Sequence, residues 1–220
     1  MTILKILSDI LLSPAYPLYC PVCRKDWDVG TGYICPDCWN VLPRADSWEQ
    51  FGLTNTGDPI PAYYRYDEVM RNLILQMKFY GRKDIAERLG EIVGEVLAQR
   101  CQGKFDAIVP VPLHPVRLRE RGYNQVELIA HKIAESLNCA CSTDLIIRAR
   151  HTSPQSALSD RERLKNVTNA FSPTLDRRDN LPLSVLLIDD VMHTGSTLNA
   201  CAEVLNRLGI RKVVKVALVR

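Results

Sequence analysis

The sequence predicts an α/β domain with a mostly parallel sheet flanked by helices, preceded by a small module that contains four cysteines. From about Ala62 onward, strand-like and helix-like segments alternate, which is typical of α/β domains. Residues 185–188 are four consecutive aliphatics, as expected of a central strand buried on both faces. Four of the eight cysteines fall within residues 20–38 as two Cys-x-x-Cys pairs. We therefore divide the chain into a short helix (1–19), a cysteine module with its linker (20–60) and an α/β domain (61–220).

The composition is that of a soluble globular protein, with 46% apolar and 24% charged residues. A net charge of +3 is too small to indicate binding to nucleic acid or membranes by itself. The apolar residues of segment 1–19 recur at helical spacing and are interrupted by Lys5 and Asp9, which favours a docked amphipathic helix over a targeting peptide. No run of about 18 apolar residues is present, so we expect no membrane insertion and a cytoplasmic location.

Apolar periodicity predicts the elements of the α/β domain in order. The predicted strand at 106–113 ends at prolines, because proline cannot continue a central ladder. The predicted strands are 62–66, 106–113, 184–189 and 212–220, and the predicted helices are 67–78, 84–99, 124–137 and 197–208.

The clustered cysteines follow the spacing C-x2-C-x11-C-x2-C, with a proline inside each pair. Two such knuckles facing each other form a tetrahedral S4 site for zinc, whose ligands would be Cys20, Cys23, Cys35 and Cys38. A redox dithiol is the alternative, but it needs only one pair within a thioredoxin-like βαβ context, which the sequence lacks. Four thiolates leave no open coordination position, so the predicted zinc is structural.

Residues 185–197, VLLIDDVMHTGST, combine a strand, two acids, a loop and the start of a helix. Asp189 and Asp190 follow the strand at its carboxyl end, where open α/β sheets bind ligands. The next helix offers amide N–H groups and a partial positive charge to a phosphate. Gly195 allows close backbone approach, and the neighbouring hydroxyls add donors. Adjacent carboxylates suit the vicinal hydroxyls of a ribose, so the motif predicts a sugar-phosphate site.

Other interpretations of the acid pair are weaker. A Walker B strand would require a G-x-x-x-x-G-K-[ST] loop, which is absent from the sequence. A receiver-domain acid pocket would lie near the start of its domain, whereas this pair lies near the end of the chain. A strand that simply ends in two solvated acids remains an alternative, but it does not explain the loop of glycine and hydroxyl residues.

The 13-residue motif resembles the phosphoribosyl pyrophosphate (PRPP) signature of type I phosphoribosyltransferases. Together with the cysteine module, VPVPLHPVRLRERGYNQ and RARHTSPQSALSDRERLKNVTNAF, it resembles the ComF/GntX family of amidophosphoribosyltransferase-like proteins over nearly the whole chain. The resemblance implies a type I phosphoribosyltransferase fold with an N-terminal zinc ribbon. It also implies that Asp189 and Asp190 bind the ribose hydroxyls, and that the 5′-phosphate is held by the loop His193, Thr194, Gly195, Ser196 and Thr197.

His193 departs from the family pattern, in which a threonine is more common at this position. A histidine also donates hydrogen bonds to phosphate, so we interpret it as tolerated variation that makes binding more dependent on pH. The resemblance places the pyrophosphate loop at Arg117, Arg119 and Arg121, whose guanidinium forks suit pyrophosphate. A solvated basic turn is the alternative.

Residues 148–166 resemble the mobile loop that covers PRPP in this superfamily. We expect Arg148 to bind PRPP, and Arg161 and Arg163 to act with the acid pair in catalysis as the loop closes and excludes water. A long polar loop inside a compact domain is itself a functional signal. A surface loop with a solvated run of charges is the alternative.

The resemblance implies Mg²⁺-dependent displacement at the anomeric carbon of ribose with release of pyrophosphate, and a role in natural competence. The alternative function is a non-catalytic PRPP-binding or single-stranded-DNA-handling factor that works with competence proteins. Basic segments and the aromatic side chains of Trp27, Tyr33 and Trp39 would suit a single strand, although such aromatics also form the miniature core around a zinc ion.

Overall fold

The computed structural model describes residues 19–27, 32–46, 48, 60–149, 170–174 and 181–220. The helices are α1 (Pro36–Asn40), α2 (Glu68–Phe79), α3 (Lys83–Cys101), α4 (Pro115–Arg121), α5 (Gln125–Leu137) and α6 (Ser196–Arg207). The strands are β1 (Ala62–Tyr64), β2 (Ala107–Pro110), β3 (Ala140–Cys141), β4 (Ile146–Arg148), β5 (Phe171–Pro173), β6 (Ser184–Val191) and β7 (Lys212–Val219). The predicted helix over residues 1–19 lies almost entirely outside the described residues, and none of the described helices is long and apolar enough to span a membrane.

Five strands form one parallel sheet in the order β1-β7-β6-β2-β3. Strands β4 and β5 pair antiparallel in a separate two-stranded sheet. Because β6 lies at the centre between β7 and β2, its aliphatic residues are buried on both faces, as the run at 185–188 predicts. The predicted fold class, a mostly parallel sheet flanked by helices with a four-cysteine module, is confirmed.

Alternate residues of β6 enter two separate cores, since neighbouring side chains in a strand point to opposite faces. Leu186 and Ile188 join the core that contains the buried residues of α2, α3 and α5. Val185 and Leu187 join the core formed with α6 and the β4–β5 sheet. The sheet is therefore covered on both sides, and the two acids that end β6 are directed toward different sets of helices.

Helices α3 and α5 approach each other closely at two glycines of α3. A Cβ atom on Gly90 would lie 2.8 Å from the carbonyl oxygen of Ile129, and one on Gly94 would lie 2.5 Å from Oγ of Ser136. Both distances are shorter than real Cβ contacts, so this crossing requires glycine at both positions. The close packing fixes α5, whose first turn contributes a residue to the candidate site.

Local signals explain where several elements begin and end. Asp67 caps α2 by accepting a hydrogen bond from the amide of Met70 at 2.8 Å, and Asn124 caps α5 by accepting one from the amide of Val126 at 3.1 Å. Helix α4, which we did not predict, starts with a proline in its first turn and ends at Arg121, followed by Gly122 as a C-cap in the left-handed conformation.

The cysteine module packs against the α/β domain as part of its core. Trp39 and Trp48 are buried in the same core as α2 and α3, and the Trp48 ring meets Tyr63 edge to face at 4.7 Å. The chain at residues 43–45 runs beside β1, where the Ala45 amide donates to the Tyr63 carbonyl at 3.1 Å. The module is thus joined to the edge of the parallel sheet by packing and by backbone hydrogen bonds.

Candidate functional site

The two acids of β6 lie on opposite faces of the sheet and have different neighbours. Asp189 lies on the same face of the sheet as Val185 and Leu187, and it lines a pocket at the start of α6. Asp190 is 5% exposed and contacts side chains of α2 and α5. The pair is therefore adjacent in sequence but divided between two local environments.

Asp190 is held by three donors. Its Oδ2 atom accepts a hydrogen bond from Nε2 of Gln125 at 2.6 Å and forms an ion pair with Nζ of Lys78 at 2.8 Å. Its Oδ1 atom accepts from the amide of Val191 at 2.7 Å. Burial alone would raise the pKa of Asp190, but Lys78 and the hydrogen bonds outweigh it and lower the pKa, so this carboxylate stays ionised.

Asp189 lies among groups of both signs. Its Oδ1 atom accepts from the Asp190 amide at 2.9 Å, and Arg148 of β4 lies within electrostatic range. Burial and the neighbouring Asp190 charge raise the pKa of Asp189 from 3.8 to about 7, while Lys78 and Arg148 oppose that rise. Asp189 consequently changes charge near neutral pH.

The loop before α6 forms an open pocket that is lined by Asp189 and by residues 191–198. Gly195 has a φ angle of +74° and lies at the N-cap of α6, where it supplies no side-chain cap. A Cβ atom there would lie 2.8 Å from Cδ1 of Ile60. Thr194 donates its hydroxyl hydrogen to Oγ of Ser196 at 3.0 Å. The pocket thus brings together helix amides and hydroxyl groups, the donor set that suits a phosphate.

The five predicted phosphate-loop residues differ in their exposure. His193 and Thr194 are exposed, Ser196 and Thr197 are partly buried, and Gly195 is buried. All five line the pocket together with Asp189. The structure therefore brings the whole predicted loop to one acid of the pair.

A second, open cleft lies between the end of α2 and helix α4 and is lined by Lys78, Phe79, Gly81, Arg117, Glu120 and Arg121. One of the lining cations, Arg117, is paired with the one acidic lining residue, since Glu120 accepts a hydrogen bond from it at 2.9 Å. Arg121 contacts the side chain of Gln125, the same residue that donates to Asp190. Three cations therefore face one cleft that is linked to the acid pair.

The three arginines predicted for pyrophosphate do not share one surface. Arg117 and Arg121 are one turn apart on α4 and both line the cleft. Arg119 is exposed, and helical geometry places it on the other side of α4. Arg148, from the predicted mobile loop, lies near both Asp189 and Arg117. Arg161 and Arg163 lie outside the described residues, and their roles stay predictions.

Lys78 is one of the site residues that we did not predict from the sequence. It occupies the last turn of α2, which was assigned only as a packing helix. Its ammonium group both pairs with Asp190 and lines the cleft. Lys78 lies four residues after the buried Ile74, so a cation that continues the apolar face of a helix was the available signal.

The four module cysteines meet at one point. Their sulfur atoms all lie within 4.8 Å of one another, and Sγ of Cys23 lies 3.7 Å from Sγ of Cys35. Zinc–sulfur bonds of about 2.3 Å place tetrahedral sulfurs about 3.8 Å apart, so this arrangement fits a four-coordinate metal. The Cys35 amide also donates to Sγ of Cys20 at 3.5 Å. Within the described ranges this is the one cluster of histidine, cysteine or acidic residues with metal-ligand spacing.

The aromatic residues of the module serve mainly as its core. Tyr33 and Trp39 are 7% and 6% exposed, and Trp27 donates its indole N–H to the carbonyl of Gly32 at 2.8 Å. The guanidinium of Arg82 lies 4.9 Å from the Tyr33 ring centroid. Buried rings do not stack on nucleic-acid bases, which favours the miniature-core interpretation of Tyr33 and Trp39.

The fold defines the class of this chain: an α/β protein with a mostly parallel sheet, flanking helices and an N-terminal four-cysteine module. Its curated relatives include competence protein F of Haemophilus influenzae, 30% identical over 89% of this chain and 81% of that protein. DNA utilization protein YhgH of Escherichia coli K12 is 33% identical over 90% and 94% of the two chains. Competence protein ComFC of Bacillus subtilis is 28% identical over 86% and 78%. The chain belongs to the ComF family.

Two solved structures have a similar arrangement over part of their length. Glutamine PRPP amidotransferase from B. subtilis aligns with 65% of this chain and 30% of that chain, at 17% identity and a TM-score of 0.42. A hypoxanthine phosphoribosyltransferase from Staphylococcus aureus aligns with 62% and 63%, at 16% identity and a TM-score of 0.37. No family profile matches the chain.

Proposed function

We propose that this ComF-family protein binds PRPP with Mg²⁺ and transfers its phosphoribosyl group to an acceptor, releasing pyrophosphate, in the context of competence. One observation carries the proposal. An acid at the end of β6 lines a pocket at the start of α6, and its neighbour connects to a cleft lined by three cations. A ribose that carries a phosphate at one end and a pyrophosphate at the other matches this spatial order of pocket, acids and cation-lined cleft.

The loop pocket would take the 5′-phosphate. The amides of the first turn of α6 carry partial positive charge, and Thr194, Ser196 and Thr197 supply hydroxyl donors. The positive φ of Gly195 turns the chain into the helix without a side chain that would fill the space. Asp189, at the rim of the same pocket, lies where it can accept hydrogen bonds from a sugar hydroxyl.

The cation-lined cleft would take the pyrophosphate. Arg117 and Arg121 offer guanidinium forks, and Lys78 adds a third positive charge. The described residues gather no set of carboxylates in this cleft, which fits Mg²⁺ that arrives with the substrate phosphates. Bound in this way, Mg²⁺ would neutralise charge on the pyrophosphate.

The residues then support displacement at the anomeric carbon. The acceptor supplies the electron pair for the new bond, and the bond to pyrophosphate breaks with its electrons leaving on the pyrophosphate oxygen. The sugar becomes positively charged in the transition state, so a carboxylate nearby stabilises it, while the cleft cations stabilise the leaving group. Arg161 and Arg163 of the loop predicted at 148–166 are expected to cover the pyrophosphate when that loop closes.

The four cysteines would hold a structural zinc ion. This module contacts the connection between α2 and α3, where the guanidinium of Arg82 lies over the Tyr33 ring, so its metal would support that connection. Since all four sulfurs act as ligands, the ion would have no position for substrate.

The alternative is a non-catalytic PRPP-binding or single-stranded-DNA-handling factor. This alternative is supported by the names of the relatives, which are a competence protein and a DNA utilization protein. The burial of Tyr33 and Trp39 reduces the aromatic surface that the module could offer to a single strand.

Two measurements test the proposal. Calorimetric titration with PRPP and Mg²⁺ should show one site per chain, and the Asp189→Asn/Asp190→Asn double variant should lose it. Incubation with PRPP, Mg²⁺ and a panel of nucleobases and amines should release pyrophosphate with at least one acceptor. Binding without release would favour the non-catalytic alternative, and absence of binding would reject the site.

A further inference from the structure

We propose that the two acids of β6 serve different groups of the ligand: Asp189 receives the ribose hydroxyls, whereas Asp190 is a positioning residue that holds Lys78 at the pyrophosphate. This inference deepens the proposed function and rests on it. It replaces the simpler expectation that both acids bind the sugar.

Asp189 and Asp190 lie on opposite faces of the sheet. Asp189 lies on the α6 side of the sheet and lines the loop pocket, and Asp190 does not line that pocket. Asp190 lies on the side of α2 and α5. Neighbouring residues in a strand point to opposite faces, so one sugar in the loop pocket meets Asp189 first.

The hydrogen-bonding capacity of Asp190 is largely used within the protein. Both of its oxygens already accept bonds within the protein, at 2.6 Å from Gln125, 2.8 Å from Lys78 and 2.7 Å from the Val191 amide. With a side chain 7% exposed, Asp190 would have to give up a buried ion pair to reach a sugar hydroxyl. Removing a partner from such a pair is costly, because it leaves an uncompensated charge.

The ion pair with Asp190 restricts the position of the Lys78 ammonium group. Lysine side chains are flexible, with four carbon atoms between the backbone and the ammonium group. The contact with Asp190 fixes that group at the wall of the cleft that also contains Arg117 and Arg121. An ammonium group has three donor hydrogens, so one bond to Asp190 leaves capacity for phosphate oxygens. Lys78 therefore joins the sheet end to the cleft.

Two fragments of PRPP separate the two roles. Ribose 5-phosphate contains the sugar and lacks the pyrophosphate, and Mg²⁺-pyrophosphate has the reverse composition. Their dissociation constants, with that of PRPP, are measured by calorimetry for the unaltered protein and for Asp189→Asn, Asp190→Asn and Lys78→Gln. Glutamine at position 78 keeps a hydrogen-bond donor for Asp190 and removes the charge, and circular dichroism verifies that each variant is folded.

We expect Asp189→Asn to weaken ribose 5-phosphate at least about tenfold, the factor that corresponds to 1.4 kcal/mol, and to leave pyrophosphate unchanged. Lys78→Gln and Asp190→Asn should do the opposite. Lys78→Arg should restore part of the pyrophosphate affinity. Lys83→Gln is the matched control, because Lys83 is an exposed lysine near the same helix end that does not line the cleft.

Each outcome decides a different question. If Asp190→Asn weakens ribose 5-phosphate as much as Asp189→Asn does, the division of roles is wrong while the PRPP site stands. If Lys78→Gln and Lys83→Gln affect pyrophosphate equally, Lys78 acts only through general charge and the inference fails. If the unaltered protein binds none of the three ligands, the proposed function fails together with the inference.

Discussion

Replacing Asp189 with asparagine should stabilise the ligand-free protein at alkaline pH even though it removes a proposed sugar contact. Asparagine has nearly the same shape, and its Oδ1 atom can still accept the hydrogen bond from the Asp190 amide. The substitution removes only the negative charge that forms beside Asp190. Because this charge is unfavourable in the folded protein, its loss should raise the free energy of unfolding.

The structure gives the sign and the approximate size of the effect. Burial and the Asp190 charge raise the pKa of Asp189 from 3.8 to about 7, so the folded state holds this proton more tightly than the unfolded state. The resulting cost is absent below about pH 4, grows from about pH 4 to 7 and is complete above about pH 7. The full rise corresponds to about 4 kcal/mol, and water at the pocket reduces it, so we expect about 2–4 kcal/mol.

Urea unfolding at a series of pH values from 5 to 8.5 measures this difference directly. The gain of Asp189→Asn over the unaltered protein should increase with pH and level off above pH 7. Asp190→Asn is the matched control with the opposite sign, since its ionised carboxylate holds Lys78 and Gln125. A difference between Asp189→Asn and the unaltered protein that stays constant with pH, or a loss of stability at pH 8.5, would refute the reasoning.

Three further changes have defined outcomes. Gly195→Ala should abolish phosphate binding in a titration with ribose 5-phosphate, while Gly103→Ala, with a similar φ of +72° and no atom within 4 Å, should share the strain of about 1–2 kcal/mol but retain the ligand. Gly94→Ala should lower the free energy of unfolding in urea by about 1–3 kcal/mol, because its Cβ would lie 2.5 Å from Oγ of Ser136; an unchanged midpoint would contradict the close helix crossing. Cys20→Ser should reduce bound metal below one equivalent in elemental analysis and lower the melting temperature; full metal content would contradict the four-thiolate site.

The predicted secondary structure agrees with the fold wherever a local signal was strong. The aliphatic run of β6 and the apolar stripes of α2, α3, α5 and α6 all gave elements within a few residues of their observed bounds. Helix α4 was missed because its seven residues include none that is buried, and an apolar pattern is what the prediction relied on. Its proline start and glycine end were present in the sequence as capping signals.

The candidate site was only partly predictable for a related reason. The loop at 193–197 and the cysteines are contiguous motifs, and their spacing in the chain sets their spacing in space. The cation-lined cleft depends on three elements that meet after folding. We predicted Arg119 together with Arg117 and Arg121 because the three form one basic cluster in the sequence. In the folded helix α4, Arg119 lies on the opposite side from the other two and does not line the cleft.

Local periodicity and spacing were enough to predict the fold class, the four-cysteine cluster and the position of the acid pair at the end of β6. The different partners of Asp189 and Asp190, and the place of Lys78 in the site, became visible in the folded protein. Strand alternation directs the two acids to opposite faces of the sheet, and the packing of α2 and α6 on those faces supplies their neighbours. Such contacts join residues far apart in the chain, and only folding brings them within hydrogen-bonding distance.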